Sequence, residues 1–381
     1  MAGALGEPGK PDPVPDRDGP SPLFFLLAFS LALALRLALL LGFPGNYDTR
    51  SYEEVVTILH RGGDLYGDTN RYNYSPVWSF VLLAAHELSD AIGSDLAVAV
   101  GLLLLFADSS TALLLFWIAV ARRGRSGGLR VALLFFANPV SVLISSAHGQ
   151  FDSLSILFLL LAILVARERP ERPAPVLAAL SASVLIKHVT WFHPLLFARR
   201  RERGGAGLGA ALVPYLVFAL SFVPYRASLR GIRSNVVEYT GLRGLYGVDA
   251  LLLLPGVPEW APLALFILAV ALAVLLLRNV ELGRASLLLF LVVLIFAPGI
   301  SRQYFVWPIA LGSLYPGFGY FLYTVVASAS ILELASPGGG EGAFGPGWLG
   351  PWWAAVAWLL LEVRNLRRLR SAEAGGARPA G

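Results

Sequence analysis

Apolar residues form long runs along nearly the whole chain, and short polar segments separate these runs. Clear examples cover residues 23–41, 96–120, 131–147, 154–165 and 352–361. A helix of about 20 residues crosses a hydrocarbon core of roughly 30 Å, and backbone groups in lipid have to be paired within the protein. The two-residue alternation of a membrane strand is not seen. The pattern predicts an all-α polytopic membrane protein with about 12 transmembrane helices.

Composition narrows the class of protein further. Hydrophobic residues make up 56% of the 381 positions and charged residues 14%, which excludes an ordinary soluble domain. The chain has no cysteine, so a disulfide framework, a thiolate metal site and a cysteine nucleophile are excluded. The net charge of +5 comes from arginine between the apolar runs and indicates membrane orientation rather than nucleic-acid binding. The excess of arginine over lysine, with abundant alanine, glycine and leucine, is typical of a GC-rich prokaryotic genome and favours a plasma membrane.

Arginine clusters mark one side of the predicted membrane protein. They comprise Arg122, Arg123, Arg125 and Arg130; Arg167, Arg169 and Arg172; Arg199, Arg200, Arg201 and Arg203; Arg278 and Arg284; and Arg364, Arg367, Arg368 and Arg370. By the positive-inside rule these segments and both termini are cytoplasmic. The chain then divides into a disordered cytoplasmic tail (1–21), one transmembrane domain (22–363) and a second cytoplasmic tail (364–381). External loops are predicted at 43–95, with interfacial helices, at 225–259 and at 336–350.

Two pairs of predicted helices are too short for full crossings, namely 176–186 with 189–197 and 287–296 with 304–314. Broken helices at membrane depth are tolerated where they line a cavity enclosed by protein, so both pairs are predicted to border a site. The segment 76–88 is expected to lie in or re-enter the outer interface. A full crossing there would place the arginines after residue 120 outside.

Asp48 lies just beyond the outer end of the first predicted helix, in the most polar and aromatic loop of the chain. A carboxylate there is suited to removing the proton of a substrate hydroxyl, although an ordinary solvated loop acid is the alternative. Arg50, Tyr72 and Tyr74 in the same loop are candidates for substrate binding, the tyrosines by stacking on a sugar. An interfacial aromatic belt explains such tyrosines at least as well.

A polar turn at 148–152 interrupts two apolar runs and carries His148, Gln150 and Asp152. Any turn between helices favours residues such as Gly and Asp. A simple turn does not require the histidine or the glutamine. The sequence is therefore compatible both with a functional site and with a simple turn. No metal-ligand spacing is evident around the turn, and the sequence requires no cofactor.

Lys187 is the only lysine beyond the N-terminal tail, and it lies with His188 between two apolar stretches. Ionisable side chains within a membrane have partners and commonly a function, so Lys187 is predicted to bind a phosphate. Snorkelling to the interface is the alternative. Arg302, followed by Gln303 and Tyr304, occupies the equivalent place in the second short pair. Together the two cations are predicted to bracket a lipid phosphate.

The order of these motifs resembles that of the C-type glycosyltransferase (GT-C) superfamily, polytopic enzymes that use polyprenyl-phosphate sugars. The nearest likeness is to the catalytic subunit of GPI mannosyltransferase I and its prokaryotic relatives. The residues that carry it are Tyr47-Asp48, Tyr72-Asn-Tyr-Ser-Pro76, Asn138-Pro139, Lys187 and Ser301-Arg-Gln-Tyr-Phe-Val-Trp307, within about residues 23–314. The eukaryotic family has Asp-x-Asp in its first loop, whereas Thr49 and Arg50 follow Asp48 here, so a divalent metal is not carried over.

The resemblance implies an inverting transferase. Its donor would be a polyprenyl-phosphate hexose, with mannose expected, and its acceptor a hydroxyl of a glycan, glycolipid or protein at the extracytoplasmic face. Asp48 would act as general base, Lys187 and Arg302 would hold the phosphate, and the turn at 148–152 would orient the sugar or the acceptor. Membrane lipids are the other expected partners, and nucleic acid is not expected.

Two other classes of protein compete with an enzyme. A transporter or flippase of a lipid-linked sugar or small solute is the main alternative. Transporters usually place their polar site near the bilayer midplane between repeated halves, whereas here the polar residues gather at predicted outer helix ends without a clear repeat. A non-catalytic scaffold would not need Lys187 and Arg302 at helix breaks. An enzyme at the membrane face is therefore favoured.

Overall fold

The computed structural model describes residues 20–42, 45–198, 207–239, 247–248, 255–335 and 349–376. Across these ranges the chain consists of helices and connecting turns without any strand, so the predicted all-α class is confirmed. Several predicted features lie wholly or mostly outside the described residues: the N-terminal tail, the arginines at 199–203, parts of the loop at 225–259, the loop at 336–348 and the end of the chain from 377.

Sixteen α-helices make up most of the described chain. The α-helices are α1 (Pro22–Leu41), α2 (Tyr47–His60), α3 (Pro76–Ile92), α4 (Leu96–Phe136), α5 (Pro139–Val142), α6 (Asp152–Glu168), α7 (Pro173–Ile186), α8 (His193–Ala198), α9 (Gly207–Ala211), α10 (Val213–Ser221), α11 (Leu229–Ile232), α12 (Ala261–Leu276), α13 (Leu282–Phe296), α14 (Trp307–Ser313), α15 (Phe318–Ala335) and α16 (Leu349–Gly376). Leu143–Ala147 and Arg233–Val237 form π-helical turns, and His188–Thr190, Val223–Ser228 and Arg302–Val306 form 3₁₀ turns. Apolar sequence therefore becomes helix almost everywhere, with breaks at the polar positions.

Some of these helices are suited to a membrane. In the described part of the chain, α1 and α4 are long and apolar enough to cross a bilayer, and the pair 209–221 with 223–237, bent by 61°, adds a third if it forms one span. Shorter apolar helices of 10–17 residues include α7, α12 and α13. These lengths agree with an integral membrane protein. The number of about 12 crossings, and the interfacial position expected for α3, stay predictions.

The long helix α4 is two helical arms that fold against each other. Gly124 breaks it with φ 66° and ψ −179°, a conformation open almost exclusively to glycine. A Cβ atom built on Gly128 would lie 2.8 Å from the Phe116 ring, whereas residues 12 apart in a straight helix are separated by about 18 Å. The chain thus reverses at Gly124, among the arginines. This reversal confirms the predicted boundary between the apolar runs 96–120 and 131–147.

Replacing Gly124 with alanine is expected to lower the free energy of unfolding by about 1–3 kcal/mol, because a Cβ atom disfavours this backbone conformation. Unfolding of the purified protein in mixed micelles measures the change. Gly209→Ala is the matched control, since its Cβ atom would meet nothing within 4 Å and the residue lies in a helix. Equal stabilities of the two variants would show that the reversal does not depend on this glycine.

The arginine-rich reversal and the polar turn at 148–152 lie at opposite ends of the bundle. Helix α6 begins at the polar turn, and its 17 residues span about 25 Å. At the far end, Arg167 donates a hydrogen bond to the carbonyl of Ile118 (2.7 Å), and Arg123 donates one to the carbonyl of Leu314 (2.5 Å). The two ends are therefore separated by most of the thickness of a hydrocarbon core, roughly 30 Å.

Both predicted short pairs are interrupted where the sequence indicates. Lys187 follows α7 with extended backbone angles (φ −156°, ψ 137°). Ala297 follows α13 with extended angles too (φ −67°, ψ 135°), before the 3₁₀ turn that leads into α14. The break at Lys187 lies at the junction of two hydrophobic cores. Ile186 belongs to the smaller core under α2, α3 and the first arm of α4, whereas Val189 belongs to the larger core around α13 and α14. Polar residues therefore interrupt the helices where the two cores meet.

Arg36 joins α1 to the core and is completely buried. Its Nη1 donates to Asp108 Oδ2 of α4 (2.5 Å), its Nη2 to Ser141 Oγ (2.8 Å) and its Nε to the carbonyl of Phe136 (2.9 Å). In the structure it pairs with another helix.

Candidate active site

Five side chains from four separate parts of the chain meet in one hydrogen-bonded group, here called the polar cluster (Asp48, Gln150, Asp152, Lys187 and Trp307). Gln150 Nε2 donates to Asp48 Oδ2 (2.5 Å), and Lys187 Nζ donates to Gln150 Oε1 (3.1 Å). Lys187 Nζ also donates to Asp152 Oδ2 (2.5 Å), whose other oxygen accepts from Trp307 Nε1 (2.7 Å). Four of the five were predicted as site residues.

Asp48 is held in the first turn of α2 by a capping box. The Asn46 side chain accepts hydrogen bonds from the backbone N–H groups of Asp48 (2.9 Å) and Thr49 (3.0 Å), and the Thr49 hydroxyl accepts from the Asn46 N–H (2.7 Å). The Asn46 amide in turn donates to the carbonyl of His148 (2.9 Å). This arrangement fixes the Asp48 backbone against the polar turn, and the helix N-terminus favours a carboxylate at this place.

The π-helical turn Leu143–Ala147 leads the chain into the polar turn. The Gln150 N–H donates back to the carbonyl of Ile144 (3.2 Å), and Gly149 takes the left-handed conformation (φ 70°) that closes the turn. Gln150 is fully buried as a result. Its side-chain amide bridges the cluster, because Nε2 donates to Asp48 and Oε1 accepts from Lys187.

His148 lies beside Asp48, with 3.9 Å between its Nδ1 and Asp48 Oδ2. Burial lowers the pKa of the His148 imidazole from its ordinary value, and the nearby Asp48 carboxylate only partly opposes this shift. The imidazole is therefore mainly neutral at pH 7. A neutral ring leaves the negative charge of Asp48 uncompensated on that side.

Lys187 is buried in an aromatic pocket rather than extended toward the surface, and its side chain is 2% exposed. Its Nζ lies 4.5 Å from the ring centre of Phe151, 5.5 Å from that of Tyr74 and 6.0 Å from that of Tyr304. Aromatic faces attract a cation at these distances. The pocket and the ion pair with Asp152 together compensate the buried charge, so this lysine does not snorkel.

The two acids of the polar cluster differ in accessibility. The side chain of Asp152 is completely buried and committed to Lys187 and Trp307. Asp48 is 26% exposed, and its hydrogen-bond partner in the cluster is the neutral amide of Gln150. A substrate can therefore approach Asp48, whereas Asp152 fixes the lysine.

Tyr74, His188 and Tyr304 border the polar cluster, and Arg302 lies two residues before Tyr304 in the chain. The ring centres of Tyr74 and His188 are 6.4 Å apart in a stacked arrangement. Tyr304 stacks on Trp307 with 4.4 Å between ring centres. Arg302 is buried at the start of the same 3₁₀ turn as Tyr304, so it belongs to the segment that forms this wall of the pocket.

Three further predicted site residues do not join the cluster through hydrogen bonds. Arg50 is exposed on α2, and Gln303 is half-buried; the side chains of both make no hydrogen bond with another described residue. Tyr72 is buried, with its hydroxyl donating to the carbonyl of Ser75 (2.5 Å) and accepting from the Ser79 N–H (2.8 Å). The hydroxyl of Tyr72 is thus committed to the local fold.

Sequence reasoning missed Asn46, Phe151 and Trp307 as site residues. Asn46 had a detectable signal, because Asn followed three residues later by Thr is a helix-capping pattern. Phe151 lies in the predicted turn, and its ring stacks on Trp78 at 3.7 Å between centres while it borders Lys187. The tryptophan was part of the motif that carries the resemblance, but nothing local indicates that its N–H meets Asp152.

The site has few of the side chains that bind metal ions. In the part of the chain that the structure describes, no group of three or more His, Cys, Asp or Glu side chains is placed to hold a metal ion. The second carboxylate of the polar cluster, Asp152, is bonded to Lys187 instead. A divalent-metal role therefore has no ligand set among these residues.

Comparisons with known proteins add no family to this picture. No protein-family model matches the chain, and no curated protein matches it significantly. The class that the fold and the site define is a helical protein, with helices able to cross a membrane, that carries a buried acid, amide and lysine cluster at one end.

Proposed function

We propose that the protein is a GT-C-like glycosyltransferase of about 12 membrane-spanning helices. It transfers a hexose, with mannose expected, from a polyprenyl-phosphate donor to an acceptor hydroxyl with inversion. The observation that carries the proposal is that Asp48, Gln150 and Lys187, which are far apart in sequence, meet in one hydrogen-bonded cluster whose carboxylate Asp48 is partly exposed. The reaction needs a carboxylate beside a cation, because the carboxylate removes the proton of the acceptor hydroxyl while the cation stabilises the leaving phosphate.

Asp48 is the general base of the proposed reaction. Gln150 occupies its Oδ2, so Oδ1 is oriented toward the acceptor hydroxyl. As the acceptor oxygen forms a bond to the anomeric carbon, the proton passes to Asp48 and the bond from that carbon to the phosphate oxygen breaks. Polyprenyl phosphate leaves with the bonding electrons on the face opposite to attack, which inverts the anomeric configuration.

Lys187 and Arg302 stabilise the charge of the leaving phosphate. An ammonium group has three N–H donors, and two of those on Lys187 are directed at Asp152 and Gln150. The third is proposed to donate to a phosphate oxygen, with the guanidinium of Arg302 on the neighbouring wall. His148 and the aromatic rings of Tyr74 and Tyr304 then contact the sugar.

The proposed site faces the extracytoplasmic side of a prokaryotic plasma membrane. The polar cluster lies at the end of α6 opposite to Arg167, and the arginine-rich reversal of α4 shares that opposite end. Because arginine-rich segments stay in the cytoplasm, the cluster faces outward and both termini face inward. Polyprenyl-phosphate sugars are then used from the outer leaflet.

The decisive experiment is incubation of the purified protein with a panel of polyprenyl-phosphate sugars and candidate glycan, glycolipid and protein acceptors. Release of polyprenyl phosphate together with a glycosylated acceptor is expected. In proteoliposomes, movement of an intact lipid-linked sugar across the bilayer without any cleavage would instead show a flippase. That result would overturn the transferase.

Replacing Lys187 with glutamine is expected to weaken binding of the donor by roughly 10- to 100-fold, since a hydrogen bond from a charged donor to phosphate is lost. Arg302→Gln is expected to act in the same direction. Separate titrations with donor and with acceptor measure the effect, and Lys187→Arg serves as the charge-conserving control. A change confined to acceptor affinity would show that these cations do not hold the phosphate.

A further inference from the structure

A lengthwise apolar groove of about 520 Å³ runs between α12, α13 and α16, away from the polar cluster. Its walls are aliphatic apart from one phenylalanine, Phe296, and one cation, Arg367. The volume falls within the range of about 300–1,000 Å³ that is usual for sites of small organic ligands. The groove is therefore large enough for a hydrocarbon chain.

Arg367 lies on the same face of α16 as the apolar residues that line the groove. Leu359, Val363, Leu366 and Arg367 line the groove together, and their spacing places them on one face of the helix. On the other wall, Leu277 and Val280 line the groove at the turn that follows α12, and Arg278 lies between them in sequence with an exposed side chain. Both arginines therefore mark the same end of the groove.

Two acidic residues described near this end, Glu281 and Glu362, are already paired. Glu281 accepts from the backbone N–H groups that begin α13 and from the hydroxyl of Tyr315. Glu362 faces Arg284 at 3.5 Å. By contrast, Arg278 and Arg367 form no ion pair with any residue in the described ranges. This end of the groove thus carries positive charge without a paired acid among the described side chains.

We infer that this groove binds an anionic phospholipid of the membrane, with an acyl chain between α12, α13 and α16 and the phosphate at Arg278 and Arg367. An apolar channel that ends at uncompensated arginines matches a molecule with a hydrocarbon chain and an anionic head group. Basic pockets between membrane helices on the arginine-rich side are suited to such lipids. The inference does not depend on the proposed transferase activity.

A second copy of this chain fits the groove less well. A symmetric dimer with its axis along the membrane normal would place the same arginines of both copies at the same depth. Their like charges would repel each other, whereas a phosphate neutralises them. Charge complementarity therefore favours the lipid.

The test uses the purified, delipidated full-length protein and native mass spectrometry with phosphatidylglycerol or phosphatidylcholine added. The double variant Arg278→Gln/Arg367→Gln is expected to bind phosphatidylglycerol about 30-fold more weakly than the unmodified protein. Arg226→Gln/Arg230→Gln is the matched control, because these two arginines are also exposed and lie on the segment after α10. The control is expected to keep its affinity. Ala269→Trp, which fills the groove, is expected to lower binding of both lipids.

Several results would overturn the inference. Equal affinities of the unmodified protein for the two lipids would show that the groove takes hydrocarbon without regard to charge. An equal loss in the control variant would show a general effect of surface charge. A dimer dissolved by Ala269→Trp, or displacement of phosphatidylglycerol by an equimolar polyprenyl phosphate, would give the groove a different occupant. Asp48→Asn should leave lipid binding unchanged, which separates this inference from the transferase.

Discussion

Replacing Asp48 with asparagine is expected to lower the turnover of sugar transfer by about 100- to 10,000-fold, the usual contribution of a general base. The substitution keeps the shape of the side chain, and the asparagine oxygen still accepts from Gln150. The protein should therefore fold and bind the donor normally. Turnover and donor affinity are measured on the same purified preparation.

Glu54→Gln is the control for this experiment. Glu54 is also on α2 and carries the same charge, but it faces Arg71 at 3.5 Å and is 38% exposed. Its loss is expected to leave turnover unchanged. Unchanged turnover of Asp48→Asn itself would remove Asp48 from the base role, and a parallel loss of donor affinity would instead place it in donor binding.

Replacing Arg36 with methionine is expected to destabilise the protein by about 3–5 kcal/mol, because the substitution leaves the carboxylate of Asp108 buried without its counter-ion. The pair is completely buried, so water does not compensate for the loss. The free energy of unfolding in mixed micelles measures the effect. Arg130→Met is the control, since Arg130 is exposed and should tolerate the change within about 0.5 kcal/mol.

The double variant Arg36→Met/Asp108→Leu tests whether the unpaired Asp108 carboxylate is what destabilises Arg36→Met. Replacing both members of a buried ion pair by apolar residues is often close to neutral. The double variant should regain part of the lost stability, though not all, since Ser141 and the carbonyl of Phe136 also lose a donor. A double variant less stable than Arg36→Met would show that the charge of Asp108 is not the source of the effect.

Much of the candidate site was predictable because polar residues are conspicuous in apolar sequence. Asp48, Gln150, Asp152 and Lys187 stand at the ends or breaks of apolar runs, and a polar group at membrane depth requires a partner. Each was therefore singled out without knowledge of the fold. The structure then places all four within one hydrogen-bonded group.

The pairings themselves were beyond local sequence reasoning. Asp48 and Gln150 are 102 residues apart, and Asp152 and Trp307 are 155 apart. No helical or turn pattern connects positions so distant, since only packing of the helices decides which side chains meet. Tyr72 shows the same limit of local sequence. An aromatic residue in a polar loop gives the same sequence signal whether it contacts a sugar or, as in this structure, donates a hydrogen bond to the carbonyl of Ser75.

The number of membrane crossings was harder to predict than the helical class. Apolar runs predict a crossing wherever hydropathy stays high, but the chain breaks many of these runs into shorter helices. Lys187 ends α7 after 14 residues, and Ala297 ends α13 after 15. Helices of such length are too short to cross a hydrocarbon core alone. The sequence predicts where these two breaks fall, but hydropathy does not determine whether the two pieces together form one crossing.

The ion pair between Lys187 and Asp152 has a consequence for the proposed catalytic cycle. Lys187 has Asp152 as its counter-ion at rest, so in the proposed cycle an incoming phosphate would share the ammonium group with Asp152 rather than bind an unpaired cation. This sharing would keep the affinity for the leaving polyprenyl phosphate moderate, because Asp152 already neutralises part of the positive charge. The proposed transferase would thereby be less subject to inhibition by its own product.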